Sequence, residues 1–136
     1  MTAIRWVAAV LSAAAGLLAV GCGGRPFSPV QGEVVHPDGT PATELEGFNI
    51  VFEGTAPDGK RYGAVGTIDA AGKFELHTEK SGDGAPLGSC KVLIEPKMID
   101  SEREAPYPIH PKYRSFNTSE LTYEVKPEGN QVRFTV

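Results

Sequence analysis

From Val30 to the last residue the chain keeps alternating apolar and polar side chains over short stretches, and this period of two most restricts what it can fold into. Successive residues of a strand point to opposite faces, so such alternation marks strands with one buried and one wet side. Val30, Gly32 and Val34 share one face against Gln31 and Glu33, and Phe48, Ile50 and Phe52 do so against Asn49 and Glu53. Phe74 and Leu76 oppose Lys73 and Glu75, while Cys90, Val92 and Ile94 oppose Lys91 and Glu95. Leu121, Tyr123 and Val125 form a further set, as do Val132, Phe134 and Val136. A Gly-rich stretch from Arg61 to Ile68 reads as a weaker strand, at a sheet edge or carrying a bulge. No helical stripe competes. Turn residues fall where the alternation breaks, at Pro37-Asp-Gly39, Pro57-Asp-Gly59, Asp69-Ala-Ala-Gly72, Gly82-Asp-Gly84 and Pro127-Glu-Gly-Asn130. Seven short strands punctuated in this way predict an all-β fold, an Ig-like sandwich or a barrel.

Ahead of this region, Arg5 is followed by an apolar run from Trp6 to Val20, interrupted only by Ser12 and Gly16. Fifteen helical residues reach roughly 22 Å, too short for a hydrocarbon layer of about 30 Å. A positive start, a short apolar core and small residues at its end predict a signal peptide over residues 1–21. Leu18-Ala-Val-Gly-Cys22 resembles the lipobox of bacterial lipoproteins, in which a small residue precedes a cysteine that is lipidated and becomes the new N-terminus. The pattern departs from that family's at one place, since Leu18 stands one step early and Ala19 occupies the usual leucine position. The resemblance implies lipidation at Cys22. An ordinary secretory signal cut nearby would instead leave Cys22 a free thiol, and an uncleaved leader would itself be the anchor. Lipoproteins of this kind carry two or three acyl chains, enough for durable attachment where one chain is marginal.

Removing 21 residues from 136 leaves 115, the size of one domain. The expected organisation is a leader (1–21), a short tether (22–29) and a single sandwich (30–136). The seven residues after Cys22 span roughly 15 Å as a flexible coil, which would keep the domain close to the bilayer. The chain has 13 Lys+Arg against 17 Asp+Glu; without Arg5, 12 remain against 17 and the net charge is −5. An acidic chain without clustered Lys or Arg predicts no nucleic-acid partner and, for the chain as a whole, no electrostatic attachment to anionic lipid. Cys90, if Cys22 is acylated, has no cysteine to pair with, and its inward position predicts a small buried hydrophobe.

Val30-Gln-Gly-Glu-Val-Val-His-Pro-Asp-Gly-Thr-Pro41, Phe48 to Phe52, and Thr67-Ile-Asp-Ala-Ala-Gly-Lys-Phe-Glu-Leu76 together resemble the opening of carboxypeptidase regulatory-like domains, which share the transthyretin-like sandwich. Gly84-Ala-Pro-Leu-Gly88, Ile109-His-Pro-Lys-Tyr113, and Ser119-Glu-Leu-Thr-Tyr-Glu-Val125 with Asn130 resemble more narrowly a set of small bacterial lipoproteins. Many of those relatives have Tyr where this chain has Cys90. The shared motifs are turn glycines and core apolars, so the resemblance implies a fold and little about function.

That fold includes a purine-pathway hydrolase marked by a C-terminal Tyr-Arg-Gly-Ser, whereas this chain ends Arg133-Phe-Thr-Val136 and its internal Tyr113-Arg-Ser115 lacks the glycine. Nucleophile-elbow, zinc-protease and phosphate-loop motifs do not occur in the sequence. No catalytic residues, metal or cofactor are therefore expected. His36 reads as a strand-end residue beside a turn and His77 as a wet-face residue, and the Asp-Gly turns lack the repeated oxygen ligands of a calcium loop. The irregular stretch 97–119 holds Arg103, Tyr107, His110, Tyr113 and Arg114 among three prolines. Its two readings are an ordered crossover and a binding loop. Asn117-Thr-Ser119 matches a glycosylation sequon that has no use beside a lipobox. The sequence thus predicts a non-enzymatic, membrane-tethered module of the cell envelope, contacting an envelope protein or glycan through Arg103, Tyr107, His110, Tyr113 and Arg114. An accessory subunit or enzyme acting on envelope glycans or peptides is the alternative.

Overall fold

A computed structural model describes residues 25–136; the expected leader, Cys22 and the first part of the tether lie outside them. The described residues are all-β, with nine strands where seven were expected. Seven fall on the alternating stretches: β2 (Val30–Val35), β3 (Asn49–Thr55), β4 (Arg61–Thr67), β5 (Lys73–Glu75), β7 (Gly88–Ile94), β8 (Leu121–Val125) and β9 (Asn130–Thr135). The two others, β1 (Phe27–Ser28) and β6 (Ala85–Pro86), are two residues each and too short to alternate. They pair with one another, so part of the stretch read as a tether belongs to the folded body.

One sheet has the order β4-β3-β7-β8 and the other β5-β2-β9. The Gly-rich β4 stands at an edge, as its composition suggests. β2 and β9 run parallel, from Val30 opposite Asn130 to Val35 opposite Thr135, a pairing that joins stretches about a hundred residues apart. The sheets meet face to face in a sandwich-like core. Phe52 of β3 lies 6.3 Å from Phe74 of β5 and 5.8 Å from Phe134 of β9, ring centroid to ring centroid. Val30, Val34, Ile50, Phe52, Leu76, Val92 and Ile94 are fully buried, as the alternation requires. Leu121, Tyr123 and Val136 are only partly covered. Cys90 is buried among them, and burial pushes its thiol pKa up to about 11.

The turns close through aspartate side chains bonding their own backbone. Asp38 Oδ1 accepts from Thr40 N at 3.0 Å, Asp58 Oδ1 from Lys60 N at 2.8 Å and Asp69 Oδ1 from Ala71 N at 2.9 Å. These contacts also separate the two ends of the sandwich. Residues 25–29, 56–60, 78–84 and 126–129 gather at the end where β2 begins, and residues 36–48, 69–72 and 95–118 at the other.

Candidate functional site

The stretch 97–119 leaves the end of β7 and is ordered along its length. It opens with a small hairpin: Met98 bridges Glu104, Ile99 N donates to Arg103 O at 2.8 Å, and Ala105 N donates to Lys97 O at 2.6 Å. Asp100 makes the turn, with Oδ1 accepting from the backbone N–H of Glu102 and of Arg103, each at 2.9 Å. Its Oδ2 accepts from Arg103 Nε at 2.7 Å. Backbone donors and the Arg103 guanidinium together hold the Asp100 carboxyl below the usual carboxylate range.

Tyr107 turns back onto the body. Its hydroxyl donates to Ile94 O at 2.8 Å and its ring meets Phe48 edge-on at 6.1 Å, so burial pushes its pKa up to about 12. Arg114 covers the outer side of that ring at 5.4 Å and donates to both carboxylate oxygens of Glu104, at 3.1 and 3.0 Å. His110 caps the 3-10 helix Pro111–Arg114, its Nδ1 accepting from Lys112 N at 3.1 Å. Tyr113 is buried, with Lys112 Nζ 5.2 Å from its ring centroid. Farther along, Ser119 Oγ donates to Val92 O, which ties the end of the crossover to β7.

Of the five residues singled out by sequence, the structure brings Tyr107 and Arg114 together, with Glu104 between the hairpin and the helix. Arg103 stays within the hairpin, His110 serves the helix start, and Tyr113 belongs to the packing. Each of their polar groups that the structure engages is engaged by a neighbour in the same chain. What the crossover offers outward is a feature the sequence reading passed over: Met98 and Ile99, 52% and 58% exposed, are the large hydrophobic side chains left open to solvent among the described residues. Two adjacent apolar residues between Lys97 and Asp100, outside any alternating run, were the available signal.

Depressions also lie elsewhere among the described residues, one of about 380 Å³ over Thr67, Asp69, Lys73 and Glu75. Another of about 420 Å³ crosses the outer face of the β5-β2-β9 sheet, between Gln31, Lys73, Gln131 and the ion pair of Arg133 with Glu33, whose Nε–Oε1 distance is 2.8 Å. A further one, about 260 Å³, lies where the described chain begins, between Arg25, Phe27, Tyr62, Lys80 and Asp83. Tyr62 donates to Asp58 Oδ2 at 2.7 Å, and that bond raises the tyrosine pKa to about 12 and lowers that of the aspartate. His36 pairs with Glu44 at 2.6 Å and His77 bridges Val65 through its backbone, so the three histidines stand on separate elements. Among the described residues no three His, Cys, Asp or Glu side chains are placed to hold a metal, and no helix is long and apolar enough to cross a membrane. Comparison with known proteins finds no matching family model, curated protein or solved structure.

Proposed function

We propose that the protein is a lipid-anchored module of the bacterial cell envelope, a carboxypeptidase regulatory-like, transthyretin-like sandwich that holds a partner protein through its Met98–Glu104 hairpin and carries out no chemistry of its own. The anchor is supported by the leader and the resemblance of Leu18 to Cys22 to a lipobox. The observation that carries the binding reading is the exposure of Met98 and Ile99 on an ordered hairpin. Exposed apolar side chains held in one geometry add contact area on docking while losing little conformational freedom. The guanidinium groups of Arg103 and Arg114 are already paired with Asp100 and Glu104, so they frame the apolar pair and do not compete for it. Methionine and arginine are both enriched at contact surfaces, and Arg103 stands beside the pair.

The reading is tested by placing a photo-crosslinking amino acid at Ile99 in cells. A discrete crosslinked envelope protein that disappears with Met98→Ser supports it; the same crosslinks from a probe at Gln131, on the face of the other sheet, contradict it.

A further inference from the structure

The chain is clamped to the body almost as soon as the structure begins. Leu87 N donates to Pro26 O at 2.9 Å, and Phe27 and Ser28 pair with Pro86 and Ala85. The Phe27 ring stands edge-on to Tyr62 at 4.7 Å, and the Ser28 hydroxyl donates to Pro127 O at 2.8 Å. Four residue steps separate Cys22 from Pro26, and at full extension they cover roughly 14 Å. An acyl chain on Cys22 therefore fixes more than the distance of the domain from the lipid. It selects which end faces the lipid, because a sandwich whose sheets run away from Pro26 cannot turn its far end to the bilayer on so short a lead.

The chemistry of the near end suits that position. Arg25, Lys60, Lys80 and Lys126 carry no salt bridge there among the described residues. The aspartates beside them are occupied, Asp58 by Tyr62 and the backbone of Lys60, and Asp83 by the backbone N–H groups of Thr78, Glu79 and Lys80 at 2.6 to 2.9 Å. Glu79 and Glu128 are the acids left open there among the described residues, so this end is formally neutral. Arg25 and Lys80 beside the partly exposed rings of Phe27 and Tyr62, on an end that is neutral where the other is acidic, suit a layer of zwitterionic and anionic headgroups over acyl chains, where aromatic side chains also collect. At the opposite end acids outnumber bases, with Asp38, Glu46, Asp69, Glu95 and Glu102 without a salt bridge among the described residues against Lys97.

We propose that the end of the sandwich bearing Arg25, Lys60, Tyr62 and Lys80 rests on the bilayer headgroups, so that the domain stands upright and carries the Met98–Glu104 hairpin at its membrane-distal tip. The inference rests on the acylation of Cys22 and adds to it a face, a direction and a headgroup-binding surface. It places the hairpin's partner beyond the bilayer surface, in the space the domain projects into.

The test uses the full mature, acylated protein on vesicles of phosphatidylethanolamine and phosphatidylglycerol that contain a gadolinium-chelating headgroup, read by amide NMR. Loss of the signals of Lys60 to Tyr62 and Glu79 to Asp83, with those of Asp100 to Arg103 retained, is the expected result. Equal loss at both ends, or loss at the hairpin first, from protein that still floats with the vesicles overturns the orientation and leaves the anchor standing. Protein that does not float overturns the anchored reading, and the orientation with it.

Discussion

The side-chain amide of Asn130 donates to the hydroxyl of Ser28 at 3.1 Å, across 102 positions of sequence. The same nitrogen reaches Pro29 O at 3.1 Å and Lys126 O at 2.7 Å, while the amide oxygen accepts from Lys126 N at 2.8 Å and from the Tyr123 hydroxyl at 3.2 Å. One buried side chain thus closes the turn before β9 and fastens the first strand to it. Removing it leaves several buried groups without partners at once. Asn130→Ala is expected to cost about 2–3 kcal/mol in urea unfolding, and amide exchange at Leu87 should speed up because β1 is no longer held. A loss below about 0.5 kcal/mol would show that water replaces the amide at no cost.

Gly84 and Gly39 provide a matched pair. Both have φ of +86°, yet a Cβ at Gly39 meets nothing within 4 Å whereas one at Gly84 falls 1.7 Å from Ser28 O. Gly39→Ala carries only the backbone strain of a left-handed alanine, about 1 kcal/mol, and Gly84→Ala should cost more than about 3 kcal/mol because β1 must move. Thermal unfolding of the two variants side by side separates conformation from crowding. Equal losses would mean that the β1–β6 pairing is not held as described.

Cys90 is buried beneath Gly54, where an added Cβ would lie 2.8 Å from its sulfur. With the thiol pushed up to about 11, little thiolate exists at neutral pH and access is closed. Iodoacetamide should leave Cys90 unmodified in the native protein and alkylate it fully in urea, as read by intact mass. Rapid native labelling would place the side chain outside the core.

Acid should loosen the near end by a route that can be followed at Asp83. Burial works against its charge, but the N–H groups of Thr78, Glu79 and Lys80 prevail and hold the carboxyl below its ordinary 3.8. A carboxyl whose folded pKa is depressed contributes stability above its unfolded value, and that stability is lost as pH falls through the folded one. Unfolding measured against pH should therefore steepen below 3.8, and Asp83→Asn should be less stable at neutral pH and flatter across the acid range. An unchanged acid limb would remove Asp83 from the account.

The faces of the strands could be read from the sequence because alternation reports burial directly. Phe48, Ile50, Phe52, Cys90, Val92 and Ile94 are all buried, and the Asp38, Asp58 and Asp69 turns close as their side chains suggest. Which strands become neighbours was not legible, because alternation gives a face and not a partner; the parallel register of Val30 with Asn130 is set by tertiary packing. The two-residue β1 and β6 carry no period to detect. The crossover misled in a different way. Tyr107 and Arg114 have the composition of a contact surface, yet the chain spends them on Ile94 O and Glu104, since residue type does not reveal whether a donor's partner lies inside or outside the molecule. Asn130 was visible as a turn residue, but its bond to Ser28 joins stretches 102 positions apart in sequence and has no local trace.

The measurement that bears most directly on the anchored module is the intact mass and N-terminal peptide of the mature protein from the membrane fraction. The account predicts a chain that begins at Cys22 and carries diacylglycerol on its sulfur. A mature chain that begins elsewhere, or that carries Cys22 as an unmodified thiol and fractionates with the soluble proteins, would contradict it.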